Sequence, residues 1–321
     1  MAYDESNIRT LSSIEHIRQR PGMYIGRLGN GSHPEDGIYI LLKEVIDNSI
    51  DEFMEGNGSK IIVTLDGQKC TVRDYGRGIP LNKLIECVSV INTGAKYDNE
   101  AFQYSVGLNG VGTKAVNALS SYFEITSWRE GEYMNAVFER GELVHKEKGK
   151  GEEPNGTFVS FIPDDDPAIF GKYTYNEDYI KERLWNYAYL NKGLIISFNG
   201  KTIKSAGGLM DLVKKILGDD GLYPLINYKS RNLEFSFTHT NGYGESYHSY
   251  VNGQYTSDGG THEAAFKEGV LKGINEYFHK SWAAPEIRDG IVATVAIKVM
   301  NPVFESQTKN KLGNTDVRAW I

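Results

Sequence analysis

The sequence has 321 residues, of which 40% are hydrophobic and 24% are charged, and its formal net charge is −7. This length accommodates two domains that each bury a core, and the acidic balance argues against a segment that binds duplex DNA by itself, because such binding needs clustered Lys and Arg. No apolar run reaches the ~18 residues of a membrane helix, and the first residues lack the basic and apolar regions of a secretory signal.

The first part of the chain predicts an α/β domain. A polar arm precedes a short amphipathic helix that starts near Ser12, and a longer helix then carries apolar residues at helical spacing. The turn Asp66-Gly67 joins two alternating segments, which is a strong hairpin signal. The predicted helices are 38–55, 114–119 and 179–190, and the predicted strands are 60–65, 69–73, 123–128, 133–139, 157–162 and 194–198.

A composition break at residues 218–221 predicts that a second α/β unit follows. We therefore divide the chain into domains 1–220 and 221–321, and we expect the second to be truncated at its C-terminal end. Its predicted strands are 233–238, 246–251 and 291–299, and its predicted helix is 262–278.

The cysteine content is low. Cys70 and Cys87 are too few for a disulfide framework, and they lack metal-ligand spacing. We therefore predict two buried thiols in a cytoplasmic protein.

Four polar side chains share one face of the helix 38–55. Glu44, Asp47, Asn48 and Asp51 follow the spacing i, i+3, i+4 and i+7, which places them on one side of a helix. An amide oxygen suits Mg²⁺, which keeps several waters and phosphate oxygens in its shell, and a carboxylate one turn earlier suits a general base. From this helix alone, the alternative is an ordinary solvated polar face.

Two glycine-containing segments add to this pattern. Asp74 lies at the end of a predicted strand in the segment 72–80, where a carboxylate can accept a hydrogen bond from an exocyclic amine; the alternative is an Asp turn. The loop 107–112 has the spacing G-x-x-G-x-G, which is neither the dinucleotide fingerprint nor a P-loop. Because it precedes a predicted helix, its backbone N–H groups can form an anion site, although a bare glycine loop is more often only a loop.

Taken together, the motifs resemble those of the GHKL ATPases, which include type IIA topoisomerase subunits, Hsp90, MutL and histidine kinases. The motifs are E-x-x-D-N-S-x-D-E (44–52), D-x-G-x-G-I-P (74–80), G-L-N-G-V-G (107–112) and G-T-x-V-x-F (156–161). Three further segments, 20–26, 259–262 and 302–309, look like the B subunits of gyrase and topoisomerase IV (ParE). The segments 92–97 and 106–114 favour the ParE branch over gyrase B.

The resemblance implies a fold and an activity. The expected fold is a GHKL (Bergerat) two-layer α/β sandwich followed by a ribosomal-S5-like α/β transducer domain. The expected activity is hydrolysis of ATP with Mg²⁺, and ATP-driven homodimerisation would act as a gate for passage of double-stranded DNA. A DNA-breakage subunit of the ParC or GyrA type would complete a cytoplasmic, nucleoid-associated heterotetramer. The alternatives are gyrase B, a MutL- or Hsp90-like nucleotide-gated clamp, and a binding module that does not hydrolyse ATP.

The resemblance also assigns roles to positions of this sequence. Glu44 and Lys309 would be catalytic, Glu44 as general base and Lys309 at the γ-phosphate, and Asn48 would bind Mg²⁺. Arg77 would lie at the pocket mouth, paired with Glu52, and Ile8 would belong to the exchanging arm. The implied ATP-binding residues are Tyr3, Asn48, Asp74, Gly78, Ile79, Pro80, Lys96, Gly107, Leu108, Asn109, Gly110, Val111, Gly112, Thr157, Gln307 and Lys309.

Two positions depart from the family pattern. Ile40 stands where many relatives have a His that orients the general base, so the sequence does not say what tunes Glu44. The lid reads Ser-Val-Gly-Leu-Asn (105–109) where many relatives have Ser-Gly-Gly-Leu-His, which predicts a stiffer lid.

Overall fold

The computed structural model of the chain describes residues 8, 10–95, 104, 110–306 and 308–321. These residues form two compact groups. The first group takes its described residues from 8–95, 110–180 and 197–201, and the second takes them from 104, 181–196 and 202–321. The predicted domain boundary at residue 220 stays a prediction.

The first group contains a sheet covered by helices, and its strands β1 to β6 pair antiparallel. Its helices are α1 (Ser13–Gln19), α2 (Gly22–Ile25), α3 (Gly37–Met54), α4 (Leu84–Ser89), α5 (Gly112–Ala118) and α6 (Glu177–Leu190). The strands are β1 (Lys60–Asp66), β2 (Lys69–Asp74), β3 (Ser120–Arg129), β4 (Glu132–Glu139), β5 (Glu142–Lys150), β6 (Gly156–Pro163), β7 (Ile195–Phe198) and β8 (Lys201–Ile203). They pair in the order β5-β4-β3-β6-β2-β1-β7-β8, and α6, β7 and β8 contain residues of both groups.

Local sequence explains how these elements begin and pair. Ser12 and Glu15 form a capping box at the start of α1, which satisfies two backbone N–H groups of its first turn. The predicted hairpin is confirmed, because β1 and β2 pair antiparallel and Asp66 faces Lys69 across the turn. Helices α3 and α5 pack against each other, and both contact β6. The two-layer arrangement therefore brings the polar face of α3 close to the start of α5.

The sequence analysis did not predict several elements, and those of this group are α2, α4, β5 and β8. Strand β5 is an edge strand that pairs with β4, and its side chains are almost all exposed, so it has no apolar alternation to reveal it. Helix α7 (Leu209–Leu217) does carry a signal, because Leu209, Leu212 and Val213 are buried at helical spacing.

The second group has its own sheet and core. Besides α7 it contains α8 (Thr261–Phe278), α9 (Ala284–Arg288), β9 (Ile226–Lys229), β10 (Leu233–His239), β11 (Ser246–Val251), β12 (Gln254–Tyr255) and β13 (Ile291–Ile297). The strands pair in the order β12-β11-β13-β10-β9, and β11 and β13 run parallel because α8 lies between them in the chain. Buried Phe237, Phe266 and Val295 form the centre of this core.

The burial of the two cysteines and the character of the helices can be compared with the sequence analysis. Cys70 is fully buried as predicted, whereas Cys87 is only partly buried, so the prediction of two buried thiols was wrong for the second. Among the described residues, none of the helices has the length and apolar character needed to span a membrane.

Candidate active site

The acidic face of α3 lies inside the protein. Glu44 is 8% exposed, Asp47 is 6% exposed and Asp51 is 2% exposed. The alternative of a solvated polar face is therefore wrong. Lys43 pairs with Asp47 at 2.5 Å between Nζ and Oδ2, which supplies a counter-charge for one of these buried acids.

The carboxylate of Glu44 lies against the first residue of α5. A Cβ built on Gly112 would stand 1.9 Å from Oε2 of Glu44, so a side chain at this position would displace the carboxylate. Asn48 connects the same two helices, because its Nδ2 donates to Oγ1 of Thr113 (3.0 Å) and to the carbonyl of Glu44 (2.8 Å). The amide oxygen is then the atom of Asn48 suited to a hard cation.

Lys114 was not among the predicted site residues. Its side chain is 4% exposed, and Nζ donates to the carbonyl of Thr93 at 2.5 Å. This contact ties the start of α5 to the segment that follows α4. Lys114 is the last residue of the segment 106–114, which resembles the ParE branch. A lysine in the first turn of a helix carries no sequence signal that it is buried.

Asp74 occupies a buried position at the end of β2 and accepts three hydrogen bonds. Oδ1 accepts from the backbone N–H of Gly76 (2.9 Å) and of Thr157 (3.2 Å), and Oδ2 accepts from Oγ of Ser49 (3.2 Å). Burial raises the pKa of Asp74, and the two backbone hydrogen bonds partly oppose this. Thr157, one of the implied ATP-binding residues, contacts Asp74 through its backbone N–H, whereas Ser49 was not among the predicted site residues.

The loop of Gly78, Ile79 and Pro80 is fixed to strand β3. Gly78 has φ +74°, and a Cβ there would stand 2.5 Å from the carbonyl of Trp128, so only glycine fits without strain. Ser127 donates from Oγ to the carbonyl of Ile79 at 2.8 Å. These contacts fix the backbone of the three residues, which are among the implied ATP-binding residues.

Two arginines flank this loop. Arg77 makes a forked contact with Glu52, with Nε to Oε2 at 3.1 Å and Nη2 to Oε1 at 2.9 Å, which confirms the predicted pairing. Arg73, which was not predicted, lies over the rings of Tyr75 (4.6 Å) and Trp128 (4.4 Å). An arginine on a strand is normally exposed, so no sequence pattern pointed to this stacking.

Some of the remaining predicted residues lie in the described part of the chain and others do not. Gly110 has φ +58° and Val111 is the residue before α5. Lys309 belongs to the second group of residues and is 3% exposed, so it is a buried lysine although its neighbours in the sequence are polar. The roles assigned to all these side chains stay predictions. The predicted residues outside the described part of the chain are Tyr3, Lys96, Gly107, Leu108, Asn109 and Gln307.

The residues present fit magnesium held mainly by a nucleotide. No group of three or more His, Cys, Asp or Glu side chains in the described residues is arranged to hold a metal ion. A Mg²⁺ ion bound by one amide oxygen, phosphate oxygens and water does not require such a group, and Asn48, which lies beside the start of α5, would supply that amide.

Comparison with known proteins gives two family matches. Residues 33–167 match the family of histidine kinase-, DNA gyrase B-, and HSP90-like ATPases, and residues 177–321 match the DNA gyrase B family. The chain is 56% identical to the B subunit of DNA topoisomerase 4 from Borreliella burgdorferi, covering 98% of this chain and 53% of that protein. It is 37% identical to the B subunit of DNA gyrase from Thermotoga maritima, covering 98% and 54%. The chain thus spans about half the length of these curated relatives.

Solved structures show the same relationship. The 43K ATPase domain of Thermus thermophilus gyrase B, solved with an aminocoumarin, matches with a TM-score of 0.74 at 30% identity, covering 96% of this chain and 86% of that chain. The ATPase region of Saccharomyces cerevisiae topoisomerase II matches with a TM-score of 0.80 at 21% identity, covering 97% and 91%, and this second likeness supports the fold alone. Both matches agree with the expected GHKL and transducer architecture.

Proposed function

Because the chain belongs to the family of ATPase regions of type IIA topoisomerase B subunits, we propose that it binds and hydrolyses ATP as part of a topoisomerase IV B subunit. The observation that carries this proposal is the approach of α3 to α5, where the Glu44 carboxylate lies against Gly112 and Asn48 is bonded to Thr113. A general base, an amide and a set of backbone N–H groups then converge where a terminal phosphate would lie.

Each group has a defined task in this chemistry. Glu44 orients the attacking water and accepts its proton, which is worth on the order of 10²–10⁴-fold in rate. The N–H groups at the start of α5 and of the glycine loop donate to the phosphate oxygens. Mg²⁺, held by Asn48, would neutralise phosphate charge when the nucleotide is bound. Lys309 stabilises the charge that develops on the γ-phosphate.

Base recognition depends on Asp74. Its carboxylate is fixed by the N–H groups of Gly76 and Thr157 and by Ser49, so a bound purine meets an acceptor of fixed orientation. An adenine amino group donates to such an acceptor, whereas a guanine carbonyl at that place is repelled. This asymmetry supports ATP over GTP as the substrate.

At the level of the assembly, we propose that nucleotide binding orders the lid 107–112 and joins two copies of the chain. The arms carrying Tyr3 and Ile8 would exchange, and the dimer would close as a gate around a segment of double-stranded DNA. Cleavage of DNA would be supplied by a separate breakage subunit. The higher identity to the topoisomerase 4 relative than to the gyrase relative, 56% against 37%, supports the topoisomerase IV assignment.

The enzymatic part of the proposal is tested by Glu44→Ala and Glu44→Gln. We expect turnover of Mg-ATP to fall by about 10²-fold or more, while binding of a non-hydrolysable ATP analogue is kept, because neither change removes the groups that hold the nucleotide. Glu142→Ala, on the exposed edge strand β5, is the matched control. Nearly unchanged turnover in both Glu44 variants would show that the general base is another group.

The assembly part is tested with the full-length protein and its DNA-breakage partner. ATP-dependent relaxation and unlinking of DNA rings without negative supercoiling is the outcome expected for a topoisomerase IV. ATP-dependent negative supercoiling would identify a gyrase. ATP turnover with no strand passage alongside any breakage partner would favour a nucleotide-gated clamp.

A further inference from the structure

The loop that carries Lys309 is closed on itself. Phe304 and Leu312 form an antiparallel bridge, and the N–H of Glu305 donates to the carbonyl of Lys311 at 3.1 Å. Inside this closure Lys309 has φ +61°, and its N–H donates to the carbonyl of Ser306 at 3.1 Å. The position of the lysine is therefore set by the position of its closing residue, Leu312.

Leu312 is in turn held by the segment between β12 and α8. Its N–H donates to the carbonyl of Gly259 (3.2 Å), and its carbonyl accepts from the N–H of Thr261 (3.1 Å). Two residues before Leu312, the carbonyl of Asn310 accepts from the N–H of Asp258 at 3.0 Å. The two segments thus form a short parallel bridge centred on the residue between Gly259 and Thr261.

That central residue is Gly260, and nothing larger fits. Its φ is +135°, and a Cβ on it would stand 2.5 Å from both the N and the O atoms of Leu312. Such a Cβ meets backbone, which cannot rotate away as a side chain would, so the loop itself would have to move.

A buried hydrogen-bond network fixes the other side of this segment. His262 is fully buried and its Nε2 lies 3.2 Å from Oγ1 of Thr256. The same hydroxyl donates to the carbonyl of Ser249 on β11 at 2.8 Å, and Oγ of Ser249 donates to Glu263 on α8 at 2.9 Å. The network therefore anchors residues 256–262 to both the sheet and the helix.

We propose that Gly260 and the Thr256–His262 pair are positioning residues for Lys309. They act at a distance from the reacting atoms, by holding the backbone on which the Lys309 loop closes. The inference rests on the proposed function, in which Lys309 contacts the γ-phosphate, and it gives a task to the Gly-Gly-Thr-His segment (259–262) that the reaction itself does not use.

The test is a double-mutant cycle in the full-length protein. Lys309→Ala, Gly260→Ala and the double variant are compared for kcat and KM of ATP hydrolysis. We expect each single change to lower kcat by about tenfold or more, since small misplacements of a catalytic group can cost up to ~10²-fold. In the Lys309→Ala background, Gly260→Ala should cost nothing further, because the group that it positions is already gone.

Further variants separate positioning from general damage. Gly273→Ala lies in α8, where a Cβ on residue 273 meets no atom within 4 Å. This matched control should leave kcat unchanged and should keep or slightly raise the melting temperature, because Ala favours a helix interior more than Gly does. Thr256→Val removes the hydroxyl and should lower kcat, whereas Thr256→Ser keeps it and should restore most of the loss. This pair carries the test if Gly260→Ala does not fold.

Three results would overturn the inference. Losses in kcat that multiply in the double variant show that Gly260 acts independently of Lys309. Unchanged kcat in a folded Gly260→Ala protein, or equal kcat in Thr256→Val and Thr256→Ser, shows that the segment 256–262 does not control the lysine. Unchanged kcat in Lys309→Ala would show that the lysine has no catalytic role, and the inference would then fail. If Glu44→Ala still lost ATP turnover in that case, the ATPase assignment would stand.

Discussion

Single side chains at this site owe their chemistry to neighbours that are far away in sequence. Asp74 is the clearest case, because its two oxygens accept from Ser49 on α3, from Gly76 in its own loop and from Thr157 on β6. These donors favour the ionised carboxylate, while burial raises its pKa. A carboxylate held in this way presents an acceptor to a base and no donor.

Asp74→Asn should therefore weaken adenine recognition with little change of shape. The amide oxygen will face the N–H groups of Gly76 and Thr157, so its NH₂ group will face the amino group of adenine. Two facing donors leave buried polar groups unpaired, which costs about 1–3 kcal/mol, so we expect ADP binding to weaken by about tenfold or more. Calorimetric titration measures this, with Asp66→Asn in the exposed β1–β2 turn as control. Equal ADP affinity in both variants would contradict the assignment.

The buried His262 predicts a pH dependence of stability. Burial lowers its pKa from 6.5 to about 4, partly opposed by Glu263. The unfolded chain thus takes up this proton at higher pH than the folded chain, so the contribution of neutral His262 is full above pH 6.5 and is lost as the pH falls toward 4.

Urea unfolding of the protein and of His262→Gln at several pH values measures this contribution. Between pH 6.5 and pH 4 we expect the unfolding free energy of the unsubstituted protein to fall more steeply than that of the variant, by at most ~1.4 kcal/mol per pH unit. His145→Gln, on the exposed strand β5, is the control and should keep the full slope. Parallel curves for all three proteins would show that His262 does not titrate in this range.

At the scale of elements, the site is an approach of two helices. Helix α3 supplies Glu44 and Asn48, and α5 supplies a glycine and a threonine that allow the two backbones to come close. Strand β6 completes the arrangement by bringing Thr157 beside β2. The proposed chemistry therefore depends on the distance between α3 and α5, and Gly112, the smallest residue in the contact, allows that distance to be short.

Gly112→Ala should disrupt this contact. The added Cβ would lie 1.9 Å from Oε2 of Glu44, so either the carboxylate turns away or the helices separate. We expect ATP turnover to fall by about 10²-fold, with a larger loss in kcat than in affinity if the carboxylate turns. Steady-state kinetics and nucleotide titration distinguish these cases. Gly22→Ala is the control, since a Cβ on Gly22 meets no atom within 4 Å. If Gly112→Ala hydrolysed ATP as fast as this control, the close approach of α3 and α5 would not be the catalytic arrangement.

For the whole molecule, two family models match successive parts of the chain, residues 33–167 an ATPase family and residues 177–321 the gyrase B family. In the proposed nucleotide-driven gate, the first part would bind ATP and the second would transmit its state. The proposed arm includes Ile8, which is 69% exposed and so offers apolar surface to a second copy.

We expect the full-length protein to dimerise with a non-hydrolysable ATP analogue and to remain largely monomeric with ADP. Light scattering after size-exclusion chromatography measures the mass in each state. Removing residues 1–10 should weaken the dimer without reducing nucleotide affinity. The same mass with both nucleotides, or an unchanged dimer after the truncation, would contradict the proposed arm exchange.

Much of the fold follows from local patterns. The hairpin β1–β2, the long helix α3 and the alternating strands of both sheets lie within a few residues of their predicted positions, because apolar periodicity and turn residues determine them locally. Strand β5 escaped prediction because an exposed edge strand needs no apolar pattern. The motif residues of the site could also be named as a group, since fixed spacing places them on one helix face or one loop, and their roles stay predictions.

The sequence by itself determined which elements form and which residues could carry nucleotide chemistry, because helix and strand periods and motif spacings are properties of neighbouring residues. Only the tertiary structure decided that the acidic face of α3 is buried, that Arg73 stacks on aromatic rings and that Gly260 holds the Lys309 loop. Each of these depends on contacts between distant parts of the chain, such as Asn48 and Thr113, which are 65 residues apart. Burial and hydrogen-bond partners arise from packing, and local sequence does not encode them.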